Sequence, residues 1–280
     1  MPAVRDSIRQ IDDQSWLIEG SLLLSRKQAP SSGLASWSDG NGDFFVLTSS
    51  SNPPSETQPL SDTSEIQKVY DAREGSAVWR VGEAFIKLKE LVTLDATREH
   101  TTLQYLRNKQ PLDFNIPEVY YYTDPGNRYL IALSKVPGRT LNEIWYELEE
   151  TKQQECVRRI AKICIDLATW EGQAISGVDA QDEMNFDPAY VLKSCKEIGM
   201  DCSSFVFYHA DLGPGNILLD EVDGSIEWIC TKFRCSSGLD LPQRAGNVAT
   251  TDWRARVARE LNRLGFSDAV DDWATWWGLY

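Results

Sequence analysis

The sequence predicts an α+β protein of two lobes, a small sheet-bearing lobe followed by a mostly helical one. Three observations carry this. In "SAVWRVGEAFIKLKE", residues 76–90, apolar and polar side chains alternate on either side of a Gly82-Glu83 turn, as in a β-hairpin with one buried face. Residues 118–136 repeat the pattern: "EVYYYT", the turn "DPGN", then "RYLIALSKV". Beyond Pro137 the apolar period lengthens to that of helices, and in "QECVRRIAKICIDLATW" Val157, Ile160, Ala161, Cys164, Leu167 and Ala168 share one face.

The elements follow in chain order. Residues 1–62 hold a short apolar stretch and then Ser/Gly/Pro-rich segments, "APSSGLASWSDGNGD" and "TSSSNPPSETQPLSD", which read as an N-terminal extension, partly loop. Residues 63–136 form the small lobe. Its opening, "SDTSEIQKVYDA", reads as a capped helix; the first hairpin follows, and then "LDATREHTTLQYLRNKQ", a helix with Asp95 as N-cap and Leu103 and Leu106 on one face. Residues 137–280 form the helical lobe. Thr140 and Glu143 have capping-box spacing in "PGRTLNEIW", and further helices are expected at "PAYVLKSCKEIG" and "TDWRARVARELNRLG".

Composition narrows the function. The 280 residues are 42% hydrophobic and 10% aromatic, ample for a core. With 42 acidic against 28 basic residues the net charge is −14, so the attraction to polyphosphate that dominates nucleic-acid affinity is missing and no nucleic-acid partner is expected. No run of apolar residues is long enough to span a bilayer, and the N-terminus is polar where a signal peptide is basic and then apolar. The expectation is a soluble, cytoplasmic protein with no membrane partner. The six Cys contain no C-x-x-C pair and there are only two His, which argues against a Cys/His zinc site and for free, mostly buried thiols.

The chemistry-bearing stretch is "FVFYHADLGPGNILLDE", residues 205–221, in which an apolar run delivers His209, then Asp211, a Gly-Pro-Gly corner and Asn216 before a second apolar run. Phosphoryl transfer asks for a carboxylate to orient and deprotonate the attacking hydroxyl, and for an oxygen ligand to Mg²⁺ nearby. Asp211 and Asn216 supply these, Gly213 and Gly215 let the backbone between them turn sharply, and His209 braces the loop. The bland alternative for the same residues is a surface turn.

A sheet lobe, a connector and a helical lobe containing H-x-D-x-x-x-x-N resemble the protein-kinase-like fold, and specifically the aminoglycoside phosphotransferase/choline kinase family. "HADLGPGN" looks like that family's catalytic loop and "YLIALSKVPGRTLNEIW" like its connector and following helix; the resemblance spans roughly residues 64 to 220 and in wording is nearest to phosphotransferase-like proteins of filamentous fungi. It implies ATP and Mg²⁺ as cofactors and a small-molecule acceptor. It also implies a strand Lys paired with a helix Glu at the nucleotide phosphates: Lys87 and Glu99 fit, with Lys89 on the same strand face as runner-up and a solvated strand charge as the bland reading of either Lys. Gly75 and Ser76, just before "AVWRV", are the candidate phosphate-approaching loop, although no G-x-G-x-x-G is present.

The chain departs from the family downstream. There the Asn leads into a hairpin whose second strand ends in an Asp that bridges Mg²⁺ to the phosphates. Aligned on Gly224, that position is Cys230, and a passage resembling "GIIDWE" is missing between Ile226 and Glu227. Glu227, followed by Trp228, is the substitute metal ligand, or else a strand glutamate facing solvent. Two functions stay open: a small-molecule kinase with compromised metal binding, or a kinase-fold protein that binds without phosphorylating. The acidic charge and Trp273, Trp276 and Trp277 suit a cationic acceptor through cation–π contacts, or the tryptophans are helix packing.

Overall fold

The computed structural model describes residues 3–61, 64–72, 75–91, 96–109, 111–172, 177–179, 192–193, 196–197, 205–208, 213–220, 226–228, 232–235 and 248–266. The chain divides into two units: residues 1–94 with 117–135, and residues 95–116 with 136–280.

Two antiparallel sheets build the first unit. Strands β1 (Ile8–Asp12), β2 (Ser15–Ile18), β3 (Leu22–Lys27), β4 (Ala35–Ser38), β5 (Phe44–Ser49) and β6 (Gln58–Pro59) form one, in the order β4-β5-β3-β2-β1-β6. The Ser/Gly/Pro-rich stretches that read as loop hold strands β4 and β6 as well as connections between strands. Strands β7 (Ile66–Asp71), β8 (Ser76–Val81), β9 (Ala84–Glu90), β10 (Val119–Thr123) and β11 (Arg128–Ser134) form the second, in the order β10-β11-β9-β8-β7. Both expected hairpins are present, β8 turning into β9 at Val81↔Ala84 and β10 pairing β11.

The helix expected at "SDTSEIQKVYDA" is instead strand β7. Ile66 pairs with Val81 and Asp71 with Ala77 across a bulge between Lys68 and Tyr70, and only Ile66 is buried. Ser64 bonds locally: the Ile66 N–H donates to Ser64 Oγ at 3.2 Å, a turn that starts a strand. Tyr70, a strand former, then pairs with Val78, with Val69 in the bulge between it and Lys68.

Alternation decides which sheet face meets the other layer. Ala77, Trp79 and Val81 of β8, Ala84, Ile86 and Leu88 of β9, and Leu130 and Ala132 of β11 share one core with Trp16, Leu24, Trp37, Phe45 and Leu47 of the first sheet. Polar contacts fasten the layers: Trp37 Nε1 donates to the Val81 carbonyl at 2.9 Å, Trp37 stacks on Tyr120 at 5.7 Å, and buried Arg128 meets buried Glu19 at 2.8 Å. Residues 1–62 therefore supply half of a β-sandwich.

The second unit contains α1 (Glu99–Asn108), α2 (Leu141–Ile144), α3 (Glu150–Ala168) and α4 (Val248–Arg263). It also holds strands β12 (Arg139–Thr140), β13 (Glu171–Gly172), β14 (Phe205–Tyr208), β15 (Ile217–Leu219), β16 (Ile226–Trp228) and β17 (Lys232–Cys235). Leu103 and Leu106 of α1 are buried as expected, but the cap position is Arg98, without a side-chain capping bond, and Asp95 lies outside the described residues. The Thr140/Glu143 capping box is formed, each side chain bonding the other residue's N–H at 3.3 and 2.9 Å. Helix α3 buries Val157, Ile160, Ala161, Cys164 and Leu167 against Trp145, Trp253, Val257 and Leu261. The Trp145 and Trp253 rings meet edge to face at 5.2 Å, and Trp145 Nε1 donates to Asp252 at 2.9 Å. Cys156 and Cys164 are free and buried, and burial pushes the Cys164 thiol up to about 12. The stretch "PAYVLKSCKEIG" lies almost wholly outside the described residues.

Candidate functional site

The segments on either side of the H-x-D-x-x-x-x-N stretch are anchored within the second unit. On the incoming side, β14 pairs with β13 through Glu171↔Val206 and with β17 through Phe207↔Phe233. Phe207 is fully buried, its ring 5.4 Å from Trp170 and 5.7 Å from Tyr105, and its N–H donates to the Trp170 carbonyl at 2.9 Å. On the outgoing side, Pro214–Asn216 form a 3₁₀ turn closed by the Asn216 N–H donating to the Gly213 carbonyl at 2.9 Å, and Ile217 begins β15 directly. His209 and Asp211, between the two anchors, lie outside the described residues, as do Trp273, Trp276 and Trp277.

The glycines do not act as the sequence suggests. Gly213 is extended, at φ −88° and ψ 157°, and a Cβ on Gly215 would meet open space. Neither needs glycine's conformational freedom, because Pro214 at the start of the turn sets the bend. The glycine the site requires is Gly138, in the stretch leading into β12. Its φ is +106° and a Cβ there would stand 2.5 Å from the Leu219 carbonyl oxygen. That close approach lets β12 pair with β15 through Arg139↔Leu219 and Thr140↔Leu218, which pins the strand following Asn216. The signal was present in "PGRT", read only as the approach to a helix.

Asn216 opens the expected hairpin: β15 pairs with β16 through Ile217↔Trp228, Leu218↔Glu227 and Leu219↔Ile226. Ile217 and Leu219 are buried in the core and Leu218, between them, is half-buried. Glu227 thus stands opposite Leu218, two residues into β15 from Asn216, and Cys230 lies outside the described residues. Among the described residues, no group of three or more His, Cys, Asp or Glu gathers as a metal site.

The candidate nucleotide-side residues of the first unit share one sheet. Lys87 of β9 pairs with Val78 and Ile131, Lys89 with Ser76 and Tyr129. Both lie on the face opposite the sandwich core, where Ile86 and Leu88 point. Lys87 is half-buried; Lys89 is exposed, its Nζ 5.7 Å from the centre of the Tyr129 ring. Gly75 and Ser76 close the β7–β8 connection, with the Ala72 N–H donating to the Ser76 carbonyl at 2.8 Å and the Glu90 N–H to the Gly75 carbonyl at 2.8 Å. A Cβ on Gly75 would meet open space. Glu99 is the first residue of α1 and belongs to the second unit, so the expected partners Lys87 and Glu99 are carried by different units.

No protein-family model matches the chain, and no curated protein matches it. Solved structures do. A point mutant of aminoglycoside 2'-phosphotransferase-IIIa in complex with GDP aligns with 78% of this chain and 82% of its own, at 12% identity and a TM-score of 0.51. APH(2")-IIIa with GDP and kanamycin aligns with 78% of this chain and 84% of its own, at 14% identity and a TM-score of 0.51. The shared feature is the fold: this chain has the α+β architecture of the kinase-like aminoglycoside phosphotransferases.

Proposed function

We propose that this protein is a small-molecule phosphotransferase of the aminoglycoside phosphotransferase type whose metal site is compromised. The observation that carries the reading is the position of the motif. In sequence "HADLGPGN" follows β14, whose Phe207 is buried, and its last residues form a turn that ends at Asn216 and opens a hairpin, in a chain with the phosphotransferase fold. In this reading Asp211 orients the acceptor hydroxyl or amino group and takes its proton, with His209 bracing the loop and Asn216 offering its amide oxygen. Lys87, or Lys89 beside Ser76, meets the nucleotide phosphates, and Glu99 positions that Lys. The acceptor is a cationic small molecule, supported by the net charge of −14 and by kanamycin in a solved structure of the same fold.

The hairpin register supports the compromise. Mg²⁺ holds near-octahedral oxygen ligands, several of them from carboxylate and phosphate. The nearest strand carboxylate, Glu227, pairs with Leu218 and is set back from Asn216, and Ile229 and Cys230 bring none. The same observation favours the second reading, a kinase-fold protein that binds a nucleotide or acceptor without transfer.

Calorimetric titration of ATP and of GTP, with and without Mg²⁺, tests both. The expected result is nucleotide binding that Mg²⁺ barely strengthens, with turnover weak or absent and any residual turnover lost in Asp211→Asn. Absence of binding by either nucleotide would count against the phosphotransferase reading. Robust Mg²⁺-dependent ATP consumption, abolished by both Asp211→Asn and Glu227→Gln, would show Glu227 in the role of metal ligand and overturn the compromise.

A further inference from the structure

In a chain carrying 42 acidic residues, one groove runs against the trend. It lies between α3 and α4, has a volume of about 400 Å³, and is lined by Glu150, Gln154, Arg256, Arg259, Glu260 and Arg263. Its two carboxylates are already engaged. Glu260, almost fully buried, accepts from Arg263 Nη2 at 2.7 Å and Nε at 3.1 Å, and Glu150 pairs with Arg256, whose Nε also bonds Asp252 at 2.9 Å. Hydrogen bonds from Arg263 hold the Glu260 carboxyl below its ordinary range against the opposing effect of burial, with Arg263 and Arg158 adding charge attraction.

What remains is positive. Arg259 is exposed, and its Nε donates to the Ala255 carbonyl of its own helix at 3.1 Å; among the described residues its guanidinium joins no ion pair. Arg158 stands one turn beyond Gln154 on the same face of α3, its Nε on the Gln154 carbonyl at 3.3 Å. The paired carboxylates thus fix Arg256 and Arg263 in place, and Arg259 between them is left to meet an anion.

We propose that this groove is a docking site for an acidic peptide segment of a partner protein. The spacing selects that occupant. Arg259 and Arg263 are separated by about 6 Å along the helix axis, close to the distance of about 6.6 Å between same-side residues of an extended peptide. Alternate carboxylates of such a peptide meet successive guanidinium groups, with the Gln154 amide as a neutral donor beside them. A phosphate concentrates its charge at one point and would bring it against Glu150 and Glu260, which repel a dianion more than a carboxylate. The site is independent of the phosphotransfer reading.

Fluorescence anisotropy on the full chain tests it, with a labelled short peptide of alternating Asp and Ser as probe and the Asn/Ser peptide as control. Saturable binding of the Asp peptide is expected, weakened as salt rises and reduced by about tenfold or more in Arg259→Glu. Among the described residues the hydrogen bond of exposed Arg259 is to its own helix turn, so circular dichroism melting of this variant should match the parent; Arg158→Gln, on α3, provides a second reduction, with its melting measured alongside because Arg158 also attracts Glu260. Equal binding of the Asn peptide, or undiminished binding in both variants, would overturn the proposal. So would binding of tripolyphosphate without binding of the Asp peptide, which would assign the groove to a phosphate.

Discussion

Asp39 sits in the Ser38–Asp43 connection between β4 and β5 with its side chain almost wholly out of solvent. Burial pushes its carboxyl up, but the Asn41 and Asp43 N–H groups, bonded at 2.7 and 3.0 Å, and the Arg26 guanidinium outweigh burial and hold it below the ordinary carboxylate range. A carboxyl whose folded pKa is depressed contributes stability that is complete above its unfolded value of about 4 and is lost as pH falls through the lower folded value. Between pH 5 and pH 3, taken as the window around about 4, the parent protein should therefore lose more melting temperature than Asp39→Asn does. A parallel decline of the two in thermal melts would show that Asp39 is not the titrating group. At Gly138, substitution by Ala combines a left-handed φ with a Cβ 2.5 Å from a backbone oxygen, so Gly138→Ala should cost about 2 kcal/mol or more in urea unfolding. Gly215→Ala, whose Cβ meets open space, should cost far less.

At the scale of elements, the first sheet is the layer that covers Trp79, Ile86 and Leu88 of the second. Leu47 of β5 is fully buried in that shared core, and Leu47→Ala should destabilise the protein by about 2–5 kcal/mol. The informative measurement is hydrogen exchange. If the two sheets form one cooperative layer pair, amide protection should fall in β8 and β9 as well as in β5, whereas loss confined to residues 1–62 would make that region an appendage. Lys87 and Lys89 of β9 lie on the face of this sheet opposite the sandwich core.

For the molecule as a whole, the proposed compromise of the metal site is tested at the β15–β16 hairpin. Inserting Gly-Ile-Ile-Asp-Trp-Glu between Ile226 and Glu227 should restore Mg²⁺-dependent nucleotide binding in calorimetry and raise turnover by several orders of magnitude, while Glu227→Gln in the parent chain should change little. An insertion variant that melts like the parent but gains no Mg²⁺ response would mean that the missing passage is not the defect.

The sequence by itself determined the elements whose signals are local. Alternation around Gly82-Glu83 and "DPGN" marked both hairpins, the period of residues 154–170 marked α3 with its buried face, and Thr140 with Glu143 marked the cap of α2. Of the motif from His209 to Asn216, the hairpin expected after Asn216 is there, while residues 209–212 lie outside the described residues. Tertiary structure alone decided the rest. Residues 1–62 are short strands separated by Ser, Gly and Pro, and their order comes from pairing and from a core shared with β8, β9 and β11, neither of which has a local signature. The stretch at Ile66–Asp71, which reads as a capped helix, becomes a strand because β8 offers it a ladder. Gly138 is required for two reasons: its φ is +106°, which the turn signal in "PGRT" hints at, and a Cβ there would stand 2.5 Å from the carbonyl oxygen of Leu219, a neighbour far along the chain that only the fold supplies.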